Sequence, residues 1–508
     1  MGFRQNPFES YVAENEPDIE QYFVKPPYYN EILARGKTAT SFILFGSRGS
    51  GKSASRIAFY KTCWKRRGEG KKAPLALVLD DYTRILSSGL SKVDLGSFVE
   101  EVAYLTIEGI LVWLAALEED DRKLHLEGLN NEEEVLIIEL LKRFYLVRPP
   151  LARSTSAKQA LRLFNQAWHV QAGLWIEKKW DALAAIVANV SNIIASKVIS
   201  SGSSLDLGLR DLIRLSKQEL NNSEYARALL SKLVDAARIF SFDGITVLLD
   251  KIDETEETNS SADASAKILY PLMSTTQLLE VDGFGWLVYL WDKVKDVYGP
   301  GQLGVRLDKI ANATITWPDD FLSEMVDRRL EYYSDGSITS FSKLCTDELN
   351  KINPLVSMKK LSMNSPRELI RVLDTVLREH EESEDQGLLT QASVDNALDK
   401  YVVERLPTLY TKQILQQVSR IKSLQFTNSD LQVIFKTGAQ SIRNRISKWQ
   451  DCGIVGLAGS SPAQGGQGGK DAYLYTVIDG RVQRLLSRSL LLGPEYELED
   501  ESDDIVSL

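Results

Sequence analysis

The stretch FILFGSRGSGKSASRIAFY, residues 42–60, constrains the fold of this chain more than any other. Four apolar residues, Phe42–Phe45, read as a buried strand. Three glycines, a lysine and a serine follow, and then a helical pattern begins. Gly46, Gly51, Lys52 and Ser53 fit G-x-x-x-x-G-K-[ST], the phosphate-binding loop. Glycine permits the turned backbone that aims successive N–H groups inward, and its missing Cβ lets a phosphate approach. The next helix offers its positive end to the same anion. The expected cradle is Gly46, Ser47, Arg48, Gly49, Ser50, Gly51, Lys52, Ser53 and Ala54. Lys52 would reach the β- and γ-phosphates of ATP, and the Ser53 hydroxyl would hold Mg²⁺.

A second βα segment, LALVLDDY at 75–82, extends this into a βαβ start of an α/β fold with a parallel sheet. From about 94 to 240 the pattern is helical, as in VLIIELLKRFYLV, so a large α-helical insertion interrupts the core. Within it, LARSTSAK at 151–158 and SSGSSLD at 200–206 read as loops. Val102–Leu117 is too short to span a membrane and contains Glu108, and Ala182–Ile199 carries Asn189, Asn192 and Lys197. Both are expected to be buried helices, with no membrane partner.

Strands return at GITVLLDKIDETEE (244–257) and GWLVYLWD (285–292). Ile245–Leu249 are apolar except for Thr246, as in a strand covered on both faces. Asp250 emerges at its C-terminal end, where open α/β sheets place ligands, and would hold the metal. Asp253 and Glu254 come three and four residues later, close enough to orient a water; Glu254 is the first choice for general base and Asp253 the second. Asp80 and Asp81 end their strand on the same edge, where they either line the site or cap the next loop.

The D-x-x-D-E arrangement, with Lys251 after Asp250, resembles the STAND, NACHT and KAP-like branch of P-loop ATPases. The N-P-F…Y-F-V…P segment before the phosphate loop is similar to a poorly characterised bacterial P-loop ATPase family related to STAND, KAP and AAA-like NTPases. The resemblance runs loosely through GVRLDKIANATITW (304–317), DRRLEYYS (327–334) and SPRELIRVLD (365–374), over about residues 1–380. It implies a sensor-2 arginine, Arg367, on a helical lid, and a sensor-1 strand at GWLVYLWD with Asp292 as its polar residue. Arg306, Arg328 and Arg329 are the corresponding candidates for a finger reaching a neighbouring subunit. KAP-type relatives often carry membrane helices between the two halves of the site; this chain departs from that pattern.

Residues 428–477 resemble a winged helix. NSDLQVIF would be its second helix and TGAQSIRNRISKWQDCGIV its turn and third helix, with a Gly-rich wing. Arg443, Arg445, Lys448 and the wing residue Lys470 are candidates for DNA contact, while Ile446 and Trp449 should be core. A lid or protein-contact role is the competing reading of this unit.

The expected organisation is an N-terminal arm and the start of the core (1–93), the insertion (94–240), the rest of the core (241–335), a helical lid (336–406), a winged helix (407–490) and an acidic tail (491–508). Glu495–Asp504 holds seven carboxylates and reads as a solvated, disordered segment. The net charge of −10 argues against a generally nucleic-acid-coating surface. Three scattered cysteines and three scattered histidines form no zinc spacing or disulfide framework and suit a cytoplasmic protein. The expected function is Mg²⁺-dependent ATP hydrolysis coupled to conformational change in signalling, defence or remodelling, with self-association or a protein effector as partner. The alternative is a nucleotide-switched DNA-binding protein with negligible turnover.

Overall fold

The computed structural model describes residues 2–16, 18–168, 172–199, 207–299, 302–383, 387–461, 472–493 and 496. The chain divides into two compact units, one of residues 16–316 and one of residues 1–15 with 317–508.

The first unit is built on a five-stranded sheet. Its strands are β1 (Phe42–Gly46), β2 (Leu75–Leu79), β3 (Ile245–Leu249), β4 (Phe284–Trp291) and β5 (Asn312–Thr314), in the order β2-β3-β4-β1-β5. Every pairing is parallel. Parallel sheets need covering on both faces, and β1 and β3 are buried at every position, the one hydroxyl of β3, Thr246 Oγ1, donating to Gly36 O at 2.8 Å. All strand C-termini therefore open on one rim. The apolar strand readings are met to within a few residues. β5 was not foreseen; at three residues it is too short to show a period.

Four helices of this unit bear on its sites: α1 (Lys52–Gly68), α2 (Leu95–Ala116), α3 (Pro150–Trp168) and α4 (Ser223–Ile239). Helices α2 to α4 lie between β2 and β3, as the helical pattern of that stretch implies. Asp94 caps α2, its carboxylate accepting from the Ser97 N–H. α2 is buried on nearly all sides and forms part of a core that runs from Ile43 to Ile310. Residues 151–158 are not a loop: they open α3. Pro149 and Pro150 precede or start the helix, a position that needs no N–H donor. The hydroxyls that suggested a loop are bonded, Thr155 Oγ1 to Leu151 O at 3.0 Å and Ser156 Oγ to Glu108 Oε2 at 2.8 Å. The loop expected at 200–206 lies outside the described residues. Among the described residues no helix is long and apolar enough to cross a membrane.

The second unit contains α5 (Asp319–Tyr333), α6 (Pro366–Glu382) and α7 (Gln391–Leu409), followed by α8 (Lys412–Val418). The first residues of the chain pack here: Asn6 Nδ2 donates to Asp374 Oδ1 at 2.7 Å, Tyr11 bonds the same carboxylate, and Arg329 Nε donates to Pro7 O at 3.0 Å. Residues 1–15 thus group with the helical segment rather than with the sheet that comes next in sequence.

The winged helix forms where the sequence places it. β6 (Gln425–Thr427), β7 (Val455–Ser461) and β8 (Ala472–Val477) make an antiparallel sheet in the order β6-β8-β7. They accompany α9 (Asn428–Phe435), α10 (Ala439–Asp451) and α11 (Gly480–Ser487). Ile442, Ile446 and Trp449 bury one face of α10.

Candidate nucleotide site

The site grows from the C-terminal end of β1. Gly46 closes the strand; a Cβ there would fall 2.5 Å from Ser50 Oγ and 3.1 Å from Ile315 Cδ1. Gly51, just before α1, has φ 91°, a left-handed conformation that a side chain would strain. α1 then begins at Lys52. The Lys52 ammonium folds back on its own loop, donating to Gly46 O at 2.8 Å and Ser47 O at 3.0 Å. Ser53 and Ala54 are half-buried in the first turn. The loop thus joins the end of β1 to the start of α1, and the Ser50 and Ile315 side chains pack so closely on Gly46 that a side chain there would have to displace them.

β4 separates β1 from β3, so Asp250 stands two strands away from Gly46 on the same rim. Two arginines close that gap. Arg56, one turn into α1 beyond Lys52, donates from Nε to Asp250 Oδ2 at 3.0 Å, and both side chains are buried. The second oxygen, Asp250 Oδ1, accepts from the Lys251 N–H at 3.0 Å. Arg48, inside the loop, donates from Nε to Asp253 Oδ2 at 3.0 Å and from an Nη to Asp253 O at 3.2 Å. Its guanidinium also lies over the Trp291 ring, 4.7 Å from the centroid. Lys251 turns the chain with φ 63°, and Ile252–Glu254 form a short 3₁₀ turn. This buries Asp253 and exposes Glu254. A carboxylate with two oxygens and about four lone-pair positions retains acceptor capacity after these bonds. The Ser53 hydroxyl and the Asp250 carboxylate are oxygen donors of the hard type that Mg²⁺ takes.

The acids that end β2 separate. Asp80 Oδ2 lies 3.7 Å from an Nη of Arg56 and so joins the site's charge network. Asp81 accepts from the Thr83 N–H and hydroxyl and caps the next turn. Tyr82 donates its hydroxyl to the carbonyls of Leu79 and Asp250, both at 3.0 Å, and burial pushes its phenol well above the usual range. Asp292 comes directly after β4, its N–H donating to Gly46 O at 3.2 Å.

The remaining expected residues are placed as follows within their own units. Arg306 is exposed and bonds Asp308 at 2.7 Å. Arg328 pairs with Glu324 on the surface of α5. Arg329 is corrected: it is 4 % exposed and bound to the Pro7 carbonyl, so it is not a projecting finger. Arg367 is half-buried at the start of α6, in the second unit; its neighbour Glu368 is held by Arg405 and Tyr401. On α10, Arg443 and Lys448 are exposed, while Arg445 lies over the Phe435 ring. Lys470 and most of the acidic tail lie outside the described residues. Sequence reasoning missed Arg56. Its one signal was a cation among Ile57, Ala58 and Phe59, on a helix whose first turn belongs to the phosphate loop.

The sequence model of one family, described as ORC-CDC6-like, matches residues 6–55. Among curated proteins no match was found. Solved structures align along nearly the whole chain at low identity. The Aeropyrum pernix ORC1 protein, solved in complex with DNA, is 12% identical, with 96% of this chain and 97% of that one covered and a TM-score of 0.40. The Aeropyrum pernix ORC2 protein, in ADPNP and ADP complexes, is 12% identical, with 96% and 99% covered and a TM-score of 0.34. CDC6P from Pyrobaculum aerophilum is 10% identical, with 96% and 98% covered and a TM-score of 0.30.

Proposed function

We propose that the chain is a P-loop ATPase that binds ATP with Mg²⁺ on the rim above β1 and β3. One observation carries the reading. Arg48 of the glycine-rich loop and Arg56 of the helix behind it grip Asp253 and Asp250, so the loop and the acidic turn are fastened at one edge. The family match over residues 6–55, which ends just past the loop, supports it.

In this reading the amides of residues 46–54 and the Lys52 ammonium bind the phosphates. Ser53 and Asp250 would hold Mg²⁺, which would supply positive charge to offset that of the phosphates. Glu254, exposed beside the buried Asp253, orients the attacking water and accepts its proton. Asp253 keeps the turn in place through Arg48. Arg367 is the sensor on the lid. Nucleotide turnover then drives a change of conformation used in signalling, defence or remodelling, in a cytoplasmic setting, with self-association or a protein effector as the output. Phosphate release separates the two acids. Glu254→Gln should lower turnover at least ~100-fold with ATP binding kept, and Asp253→Asn should cost far less. Normal hydrolysis by Glu254→Gln would reassign the base.

A second reading has its own observation: Arg443 and Lys448 are exposed on a helix whose other face is core. DNA contact there predicts a salt-dependent affinity whose slope falls when Arg443 and Lys448 are both changed to Ala. An unchanged slope removes DNA from the account of this helix.

A further inference from the structure

A cavity of about 550 Å³ lies in the first unit, away from the phosphate loop, along the outer side of β2. β2 is an edge strand, paired with β3 alone. Six consecutive residues, Ala76–Asp81, line the cavity, and α1, α2 and α3 supply the other walls. The Leu75 N–H donates to Gly244 O, and Leu79 O accepts from the Asp250 N–H. Peptide groups alternate in direction along a strand, so those of Ala76 and Val78 turn to the cavity side.

The cavity wall is part charged and part apolar. Asp80, Asp81, Arg84, Glu101 and Arg148 gather at the end of β2 that faces the rim. Trp64, Leu77, Leu105, Val112 and Leu163 supply apolar wall. Glu108 lines this space from α2 and is 3 % exposed. Its Oε1 accepts from the Tyr104 hydroxyl at 2.6 Å and its Oε2 from the Ser156 hydroxyl at 2.8 Å. Among the described residues no cation pairs with it. Arg148 is committed to Glu101 at 2.6 Å. A buried carboxyl held by hydroxyls and facing an apolar cavity is complemented by a cation brought in on an apolar body. Four carboxyl groups line the cavity against two guanidiniums, which disfavours an anion.

We propose that this cavity binds an apolar primary amine, its ammonium seated against Glu108 and its hydrocarbon against Trp64, Leu105 and Val112. The carbonyls of the β2 edge supply further acceptors on the same wall. Burial pushes the Glu108 carboxyl up to about 7, so the cation must draw it into its ionised form. The groups that face Glu108 are Tyr104 and Glu101 from α2, Ser156 from α3, and Tyr145 and Arg148 from the segment between. Amine affinity therefore rises with pH from 6 to 8, and affinity for a neutral analogue does not.

Isothermal titration of the full chain with n-octylamine, octanol and octanoate tests this without nucleotide. Octylamine should bind at least ~10-fold more tightly than octanol, and octanoate most weakly. Glu108→Gln should erase the amine's advantage and keep octanol binding, which also reports an intact cavity. Leu105→Trp, which fills the space, should abolish both. Equal binding of amine and alcohol by the native chain overturns the proposal. So does an amine preference that survives Glu108→Gln, an amine affinity flat with pH, or no binding of any probe.

Discussion

Asp250 and Glu108 are carboxylates buried almost equally, at 2 % and 3 % exposure, in the same unit, and they are partnered in opposite ways. Asp250, on the rim, meets an arginine that is itself buried, and that arginine also faces Asp80. Glu108, beside the outer edge of the sheet, is hydrogen-bonded by the hydroxyls of Tyr104 and Ser156, and among the described residues it forms no ion pair. Burial makes a charge expensive, and the partner decides how that cost is met. On the rim a counter-charge keeps the acid and the phosphate loop in one assembly. In the cavity burial, with no ion pair to oppose it, pushes the carboxyl up to about 7. The difference separates a buried carboxylate that already has its counter-charge from one that, in the proposal above, a cationic ligand would complete.

Removing the counter-charge on the rim should have the largest effect. Arg56→Met leaves Asp250 buried and unpaired, and denaturant unfolding should show a loss of about 3–5 kcal/mol. Adding Asp250→Asn should restore part of it, because the uncompensated charge is gone. A double variant no better than the single one would break the assignment of the loss to charge.

The cavity acid predicts a pH effect of intermediate size. Its folded value is raised by burial from an ordinary 4.5 to about 7, and the two hydroxyl bonds oppose that only in part. Below about 4.5 the group is protonated in both states and its contribution is fully present. As pH rises through about 7 the unfolded chain has lost the proton first, and the contribution is lost, by roughly 3 kcal/mol in total. Stability measured from pH 4.5 to 8 should therefore fall less steeply in Glu108→Gln than in the native chain. Parallel curves would contradict the contrast drawn with Asp250.

Arg48→Ala should have the smallest effect on stability, at most about 1 kcal/mol, because Arg48 is nearly half exposed where it meets Asp253. Its use is to sharpen the comparison. A loss as large as that of Arg56→Met would mean that exposure is a poor guide to the strength of these pairs.

Much of the rim was legible because its chemistry is local. Eight residues from Gly46 to Ser53 contain the loop motif, and a five-residue strand, apolar except for Thr246, that ends on an acid points to the position of Asp250 on the rim. What closes the rim was not legible. Arg56 and Asp250 are 194 positions apart, and Arg48 and Asp253 are 205 apart, so nothing in either segment names its partner. β5 and β6, at three residues each, carry no readable period. Residues 151–158 looked like a loop because Ser and Thr compete with helical bonding, yet here their hydroxyls bond within the helix or across to Glu108. The cavity depends on β2, α1, α2 and α3 together, and only folding brings those segments side by side. On α10 the core residues Ile446 and Trp449 were readable from spacing, because burial of one helix face repeats every three to four residues.

The central claim is that the loop at 46–53 and the acid at 250 together form one nucleotide site. Calorimetric titration of the full chain with ATP in the presence of Mg²⁺ tests it most directly. The account predicts saturable binding of one nucleotide per chain, weakened at least ~100-fold by Lys52→Ala and unchanged by Arg443→Ala. A native chain that takes up no nucleotide, or a Lys52→Ala chain that binds as well as the native one, would contradict it.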